Sequence, residues 1–277
     1  MQMSGAESEY LRRVGDIRQH IANECAGDKI GRRTDLLLAR LQRRLAKPIR
    51  VAFVGEMNGG KTTLANRLLD CDLLTTNVVH NTRVPILLKH ALGSQIQLRG
   101  GDGCSSDFDP TMGLRACVGR GDSIEVGLEL EALQGLEIVD SPGATLDKDS
   151  LTQLRQIGGA ADILVWCTIA TQAWRATEIA NWRALGARKG RRSILAITHA
   201  DLISQPDRER VLARVEREAA GLFDTIALVG HGLNGQNSED GCRGMIQSTI
   251  RQVHGFRRRR AGEVIGRFLR RIDALQQ

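Results

Sequence analysis

Between residues 7 and 47 the apolar positions recur at helical spacing. Leu11, Val14, Ile17 and Ile21 fall three and four residues apart and make one stripe along a helix. Gly27 and Gly31 interrupt the pattern, Leu36, Leu37, Leu41 and Leu45 open a second stripe, and Pro48 stops it. The segment predicts a helical hairpin. At Val51 the period changes. Val51-Ala52-Phe53-Val54 is a continuous apolar run, the mark of a strand buried on both faces of a parallel sheet. A glycine-rich turn follows it, and 63–69 reads as a helix. Further apolar runs span 136–139 before Asp140, 163–168, 194–198 before His199, and 225–229 before Gly230. Helical stretches at 150–160, 173–185 and 206–222 alternate with them, which predicts an α/β domain with a doubly wound, mostly parallel sheet. Residues 85–90, 95–99 and 124–130 read as extra strands, with 100–109 as a polar loop. From Cys242 helical spacing returns, in one stripe of Ile246, Ile250 and Val253 and another of Val264, Phe268, Ile272 and Leu275. The expected layout is a hairpin or neck over 1–48, an α/β domain over 49–238, and basic helices over 239–277 that pack with the hairpin into a short helical bundle.

Composition changes this picture in two places. Aromatic residues are 3% of the 277 positions while hydrophobic residues are 42%, so the core rests on aliphatic side chains. The net charge is +7, and nine arginines against Glu263 and Asp273 place an equal excess between Arg243 and Gln277. A neutral body with a basic end has three readings: arginines as the solvated face of a packed helix, docking on an anionic membrane, or nucleic-acid binding. The last lacks an aromatic platform, so nucleic acid is not an expected partner. No apolar run approaches the ~20 residues that cross a bilayer, and Glu7, Glu9 and Asp16 argue against a secretory leader. The expected address is the cytoplasm, with a peripheral position at the inner membrane face as its variant. The six cysteines form no C-x-x-C pair and read as reduced thiols. Trp166, Trp174 and Trp182 recur every eight residues and predict packing in the core or against a partner. His20, His80, His90, His231 and His254 show no metal-ligand spacing.

The chemistry-bearing signal is Gly55-Glu56-Met57-Asn58-Gly59-Gly60-Lys61-Thr62, a full match to G-x-x-x-x-G-K-[ST]. Glycines let the backbone wrap closely so that amide N–H groups from Gly55 to Thr63 point at phosphate oxygens, and the helix that follows adds its positive end. Lys61 reaches the β- and γ-phosphates and the Thr62 hydroxyl ligates Mg²⁺. Downstream, Asp140-Ser141-Pro142-Gly143 follows a buried strand; Asp140 is the expected metal acid and the Gly143 amide the γ-phosphate contact. Thr82, in Asn81-Thr82-Arg83-Val84-Pro85, is a second hydroxyl for Mg²⁺ and for orienting water, in competition with Thr75 and Thr76. Thr198-His199-Ala200-Asp201, with Gly230 after the next strand, stands where a guanine would be read. A carboxylate accepts two hydrogen bonds from the guanine N1 and N2 edge, which adenine cannot supply. His199 replaces the lysine of N/T-K-x-D and loses its long cationic stem, though its ring can stack.

These residues resemble the bacterial dynamin-like GTPase family. Residues 51–69 look like its G-E-F-x-A-G-K-S-T-L-I-N-A-L-L segment, Thr82-Arg83-Val84-Pro85 is similar to its T-x-x-P switch, and Asp140–Gly143 to its D-T-P-G. The likeness covers about 50–232. It implies binding and hydrolysis of GTP with Mg²⁺, a helical neck built from both flanks, and catalysis within a head-to-head GTPase dimer. In such a dimer a monovalent cation replaces an arginine finger, and Asn58 occupies the position that ligates K⁺; Arg83 is a lesser candidate for the same charge role. Lys61, Thr82, Asn58 and Gly143 are the expected catalytic residues. No glutamine follows the D-x-P-G turn, where Ala144 and Thr145 stand. Family members carry a long stalk with a membrane paddle, for which 277 residues leave no room, so a helical partner or paralogue is expected. A nucleotide-gated module with little hydrolysis, or an RNA- or ribosome-associated GTPase, are the alternatives.

Overall fold

A computed structural model describes residues 5–24, 29–71, 74, 84–100, 104–109, 117, 121–186 and 190–273. Two compact units divide the chain, one of Ile49–Ile250 and one of Met1–Pro48 with Arg251–Gln277. The second boundary falls later than the 238 read from the sequence, inside a helix.

The larger unit is a nine-stranded sheet: β1 (Ile49–Gly55), β2 (Ile86–His90), β3 (Gln95–Arg99), β4 (Ser105–Phe108), β5 (Ser123–Leu128), β6 (Leu136–Asp140), β7 (Ile163–Ile169), β8 (Arg192–Thr198) and β9 (Thr225–Leu228), in the order β4-β3-β5-β2-β6-β1-β7-β8-β9. From β6 through β1 and β7 to β9 every pairing is parallel, and β2 pairs antiparallel with β6. The continuous apolar runs are the central strands, wholly buried over Val51–Gly55 and Ile163–Thr168, because helices cover both faces. Helices α4 (Lys148–Ala160), α5 (Ala176–Leu185) and α6 (Gln205–Glu218) make the crossovers between parallel strands, and α3 (Lys61–Leu69) follows β1. Inside 100–109, read as loop, Ser105–Phe108 pairs antiparallel with β3; four mostly exposed residues carry no apolar alternation to announce a strand. The three tryptophans gather although they share no helix. Trp166 on β7 meets Trp174 and Trp182 edge-on, and both touch Phe223. Trp174 lies in the turn before α5 at a φ of 61°, so α5 starts later than the 173 read from the pattern.

In the smaller unit, α1 (Gly5–Glu24) and α2 (Lys29–Ala46) form the expected hairpin. Gly31 does not break it but sits in the first turns of α2. Val14, Ile21, Leu38 and Leu45 share a core with Ala261 and Ile265, and Arg18 donates to Asp35 and Gln42, each at 2.7 Å. The inward stripe of α2 is therefore Leu38, Leu41 and Leu45; Leu36 and Leu37 are 58% and 44% exposed, a correction to the stripe read from the sequence. The C-terminal helices are one helix, α7 (Glu239–Asp273). A shift of apolar stripe along a straight helix reflects a change in what it packs against, and no break is needed. Among the described residues, no helix is long and apolar enough to cross a membrane.

Candidate nucleotide-binding site

The C-terminal ends of β1, β6 and β8 and the turn after β9 meet on one side of the sheet, where open α/β folds bind ligands. They bring together Gly55 to Thr63, Asp140, Gly143, Thr198, His199, Asp201 and Gly230. Thr82, with Asn81 and Arg83 and the competing Thr75 and Thr76, lies outside the described residues.

The phosphate loop turns where the sequence puts its glycines. Gly55 has a φ of +137°, and a Cβ there would stand 2.1 Å from the Cys167 carbonyl oxygen, so no side chain fits between β1 and β7. Asn58, exposed, adopts a left-handed φ of 61°, which asparagine tolerates. Lys61 opens α3 and is 6% exposed. Its Nζ donates to the carbonyls of Gly55 at 3.3 Å and Glu56 at 2.6 Å, inside the loop it is expected to serve, and burial holds its pKa below the ordinary lysine value.

Next to the lysine, Thr62 Oγ1 donates to Asp140 Oδ2 at 2.7 Å. Asp140 is 1% exposed, and burial pushes its carboxyl up to about 6 against the opposing pull of the Thr62 hydrogen bond and Lys61. Its Oδ1 is buried with no hydrogen-bond partner among the described residues. A leftover carboxylate oxygen beside a hydroxyl is a hard-oxygen donor set, which fits Mg²⁺. Beyond Asp140 the chain runs against the loop: Ser141 N donates to Phe53 O at 3.1 Å and Ala144 N to Gly55 O at 2.9 Å. Gly143 approaches so closely that a Cβ would lie 2.8 Å from Met57 N. Ala144 is buried, and the Thr145 hydroxyl donates to Asp147.

On the other side, Thr198 Oγ1 lies 3.0 Å from Gly59 O and 3.1 Å from Thr168 O, and His199 Nδ1 is 3.0 Å from the same oxygen. Asp201 is exposed, with Oδ1 accepting from His231 N at 3.0 Å. Gly230 packs on it, 2.7 Å separating its would-be Cβ from Asp201 N.

The support behind the loop was missed by sequence reasoning. The Glu56 carboxylate is clamped by Arg175 and by the Thr177 hydroxyl, both at the start of α5. Glu178, 2% exposed, accepts from Trp166 Nε1 at 3.1 Å, Thr168 Oγ1 at 2.9 Å and Arg175 N at 2.9 Å. Its burial leaves no trace in the pattern, since α5 has no Ser, Thr, Asp or Asn at its N-cap to mark the helix start.

A phosphate loop between a central parallel strand and a helix, an acid closing the neighbouring strand, and a carboxylate at the end of β8 define a P-loop GTPase. Residues 50–199 match the 50S ribosome-binding GTPase family, and the chain belongs to it. Among individual proteins it is similar to Dynamin-like protein 2 of Campylobacter jejuni, 27% identical over 61% of this chain and 28% of that one. It is also similar to the Isoniazid-induced protein IniC of Mycobacterium tuberculosis, 30% identical over 39% of this chain and 23% of the other. A bacterial dynamin-like protein is thus among its relatives, and this chain spans about a quarter of the length of these two. A solved structure of an oligomerised bacterial dynamin pair, described as a mechanism for long-range sensing and tethering of membranes, shares the fold. It superposes with a TM-score of 0.58 at 16% identity, over 84% of this chain and 38% of that one.

Proposed function

We propose that this GTP-binding domain takes up GTP with Mg²⁺ and hydrolyses it, in the manner of a dynamin-like GTPase. The observation that carries the reading is the pairing of Thr62 with Asp140, whose second oxygen is buried and without a partner among the described residues, beside the Lys61 ammonium. Thr62 and Asp140 would hold the metal, with Thr82 as a further hydroxyl. When bound, Mg²⁺ shields the charge of the phosphates. The loop amides and Lys61 bind the triphosphate, the Gly143 amide meets its γ end, and Asp201 selects guanine. Neither Ala144 nor Thr145 is disposed to orient a water, one being buried and the other hydrogen-bonded to Asp147. Charge stabilisation then has to come from elsewhere, and Asn58 holding K⁺ within a face-to-face dimer, or beside a helical partner, supplies it. Met57, 62% exposed at the loop tip, and exposed Leu146 and Leu202 supply apolar surface for such a contact. Single-turnover GTP assays at rising protein concentration, in K⁺ and in Na⁺, test this. Rates that rise with concentration and K⁺ support it. Rates indifferent to both remove the dimer and the cation, and absent turnover leaves a nucleotide-gated module.

The outward face of α2 favours an anionic membrane surface as a docking partner. Exposed Arg32, Arg33, Arg40 and Arg43 lie three to six residues from Leu36 and Leu37, with no exposed acid on that helix. Cations near an anionic surface contribute about 1 kcal/mol each, and leucines among them suit the headgroup boundary better than a phosphodiester backbone. Binding to phosphatidylserine vesicles that survives Leu36→Glu with Leu37→Glu would remove this reading.

A further inference from the structure

We infer that Arg175 guards the phosphate loop from the loop's own acid, by holding the Glu56 carboxylate away from Lys61 and the triphosphate. The inference deepens the phosphate-binding part of the proposed function and rests on it. Residues 55–62 contain one acid, Glu56, and one base, Lys61. An anion in a loop that has to receive a triphosphate carries the wrong sign, and a carboxylate competes with phosphate for an ammonium. Glu56 stands where it could compete. Its carbonyl oxygen accepts from Lys61 Nζ at 2.6 Å. Carbonyl and carboxylate turn about the same Cα, so an ammonium on the first lies within the sweep of the second.

In the structure the carboxylate is turned the other way. The Glu56 side chain, 18% exposed, ends on the start of α5, where the Arg175 guanidinium pairs with Oε2 and the Thr177 hydroxyl donates to Oε1. Burial lowers the Lys61 pKa, and the carboxylate that opposes the shift is Asp140 rather than Glu56. Arg175 is itself fixed from behind. Its backbone N–H donates to Glu178 Oε2 at 2.9 Å, and Glu178 is held in turn by Trp166 Nε1 and Thr168 Oγ1 on β7. The guanidinium therefore reaches Glu56 from a rigid base. Because that base is a main-chain contact, replacing the Arg175 side chain leaves the start of α5 in place.

Removing one member of a largely desolvated ion pair is costly because the other charge is stranded, whereas removing both is close to neutral. A stranded Glu56 has a second cation within reach in Lys61, and taking it withdraws the ammonium from the nucleotide. Arg175 acts through Glu56 and is a positioning residue.

The test separates a charge guard from a mechanical brace. Calorimetry is run with GTP and Mg²⁺ on the full-length chain, with urea unfolding to confirm that each variant is folded. Arg175→Gln is expected to weaken GTP binding about tenfold, the cost of a carboxylate left without its partner. Adding Glu56→Gln to it is expected to return affinity to within about threefold of wild type, because no charge is then stranded. A brace predicts the opposite, since the double variant lacks both of its ends. The second readout needs no nucleotide. In chains labelled with ¹³C-lysine, with Lys61→Arg identifying the resonance, the Lys61 pKa is expected to rise in Arg175→Gln and to fall back in the double variant. Wild-type affinity in Arg175→Gln, a double variant as weak as Arg175→Gln, or a Lys61 titration that Arg175→Gln leaves unmoved would each overturn the inference. The two failures are separable: a wild-type chain without GTP affinity sinks the functional reading, whereas a GTP-binding wild type without rescue by Glu56→Gln sinks this one.

Discussion

Asp140→Asn probes the charge that the folded protein keeps out of water. Burial raises the Asp140 carboxyl from its ordinary 3.8 to about 6, so between those values the folded chain binds a proton that the unfolded chain has lost. Stability attributable to this group is fully present below pH 3.8 and is lost as pH rises through about 6. At about 1.4 kcal/mol for each pKa unit, the loss is about 3 kcal/mol. With side-chain exposure near zero, solvent screening does not reduce it. Other carboxylates titrate over the same range, so the measurement is a difference. Urea unfolding of wild type and Asp140→Asn in EDTA, without nucleotide, is followed from pH 4.5 to 7.5. The asparagine cannot ionise. Wild type is expected to fall relative to the variant by about 2 kcal/mol across that interval. With Mg²⁺ and GDP present the order reverses, because the metal favours the ionised carboxylate that only wild type has. A pH-independent difference in EDTA would mean that Asp140 is not paying for its burial and would refute the argument, as would an Asp140→Asn chain with unchanged Mg²⁺-dependent GDP affinity.

Lys61→Ala is expected to lower calorimetric GTP affinity at least about 100-fold, since the variant removes a charge-assisted contact from a buried site; unchanged uptake would contradict the phosphate-loop assignment. Gly143→Ala inserts a methyl 2.8 Å from Met57 N, and because both contacting parts are backbone the turn must move. GTP turnover is expected to fall about tenfold or more, with GDP affinity, which does not involve the γ end, changed by less than about threefold. Glu178→Ala orphans three donors in the interior and is expected to cost about 3 kcal/mol in urea unfolding, with Glu178→Gln recovering part of it; a cost below about 1 kcal/mol would show that the network is dispensable.

The central strands, the phosphate loop and the acid at the end of β6 were legible because each is written within a few consecutive residues. A continuous apolar run needs burial on both faces wherever it lies, and G-x-x-x-x-G-K-T carries its turn, its donors and its ammonium together. Gly230, at the end of an apolar run, was read with the base-reading turn, and it packs on Asp201 because parallel strands deliver their ends to the same edge. Other features depended on neighbours distant in sequence. The stripe read in α2 was Leu36, Leu37, Leu41 and Leu45, and only the packing of Val14, Ile21, Ala261 and Ile265 selected Leu38 over Leu36 and Leu37. Strand β4 exists because β3 offers it a pairing edge. Glu178 reads as a surface helix residue until Trp166, Thr168 and the Arg175 amide surround it. The sequence by itself determined which phosphate-binding chemistry this chain carries, because that chemistry is local. Tertiary structure alone decided which charges are buried and which apolar faces stay in water, because desolvation and hydrogen-bond saturation are settled by atoms that chain order does not bring together.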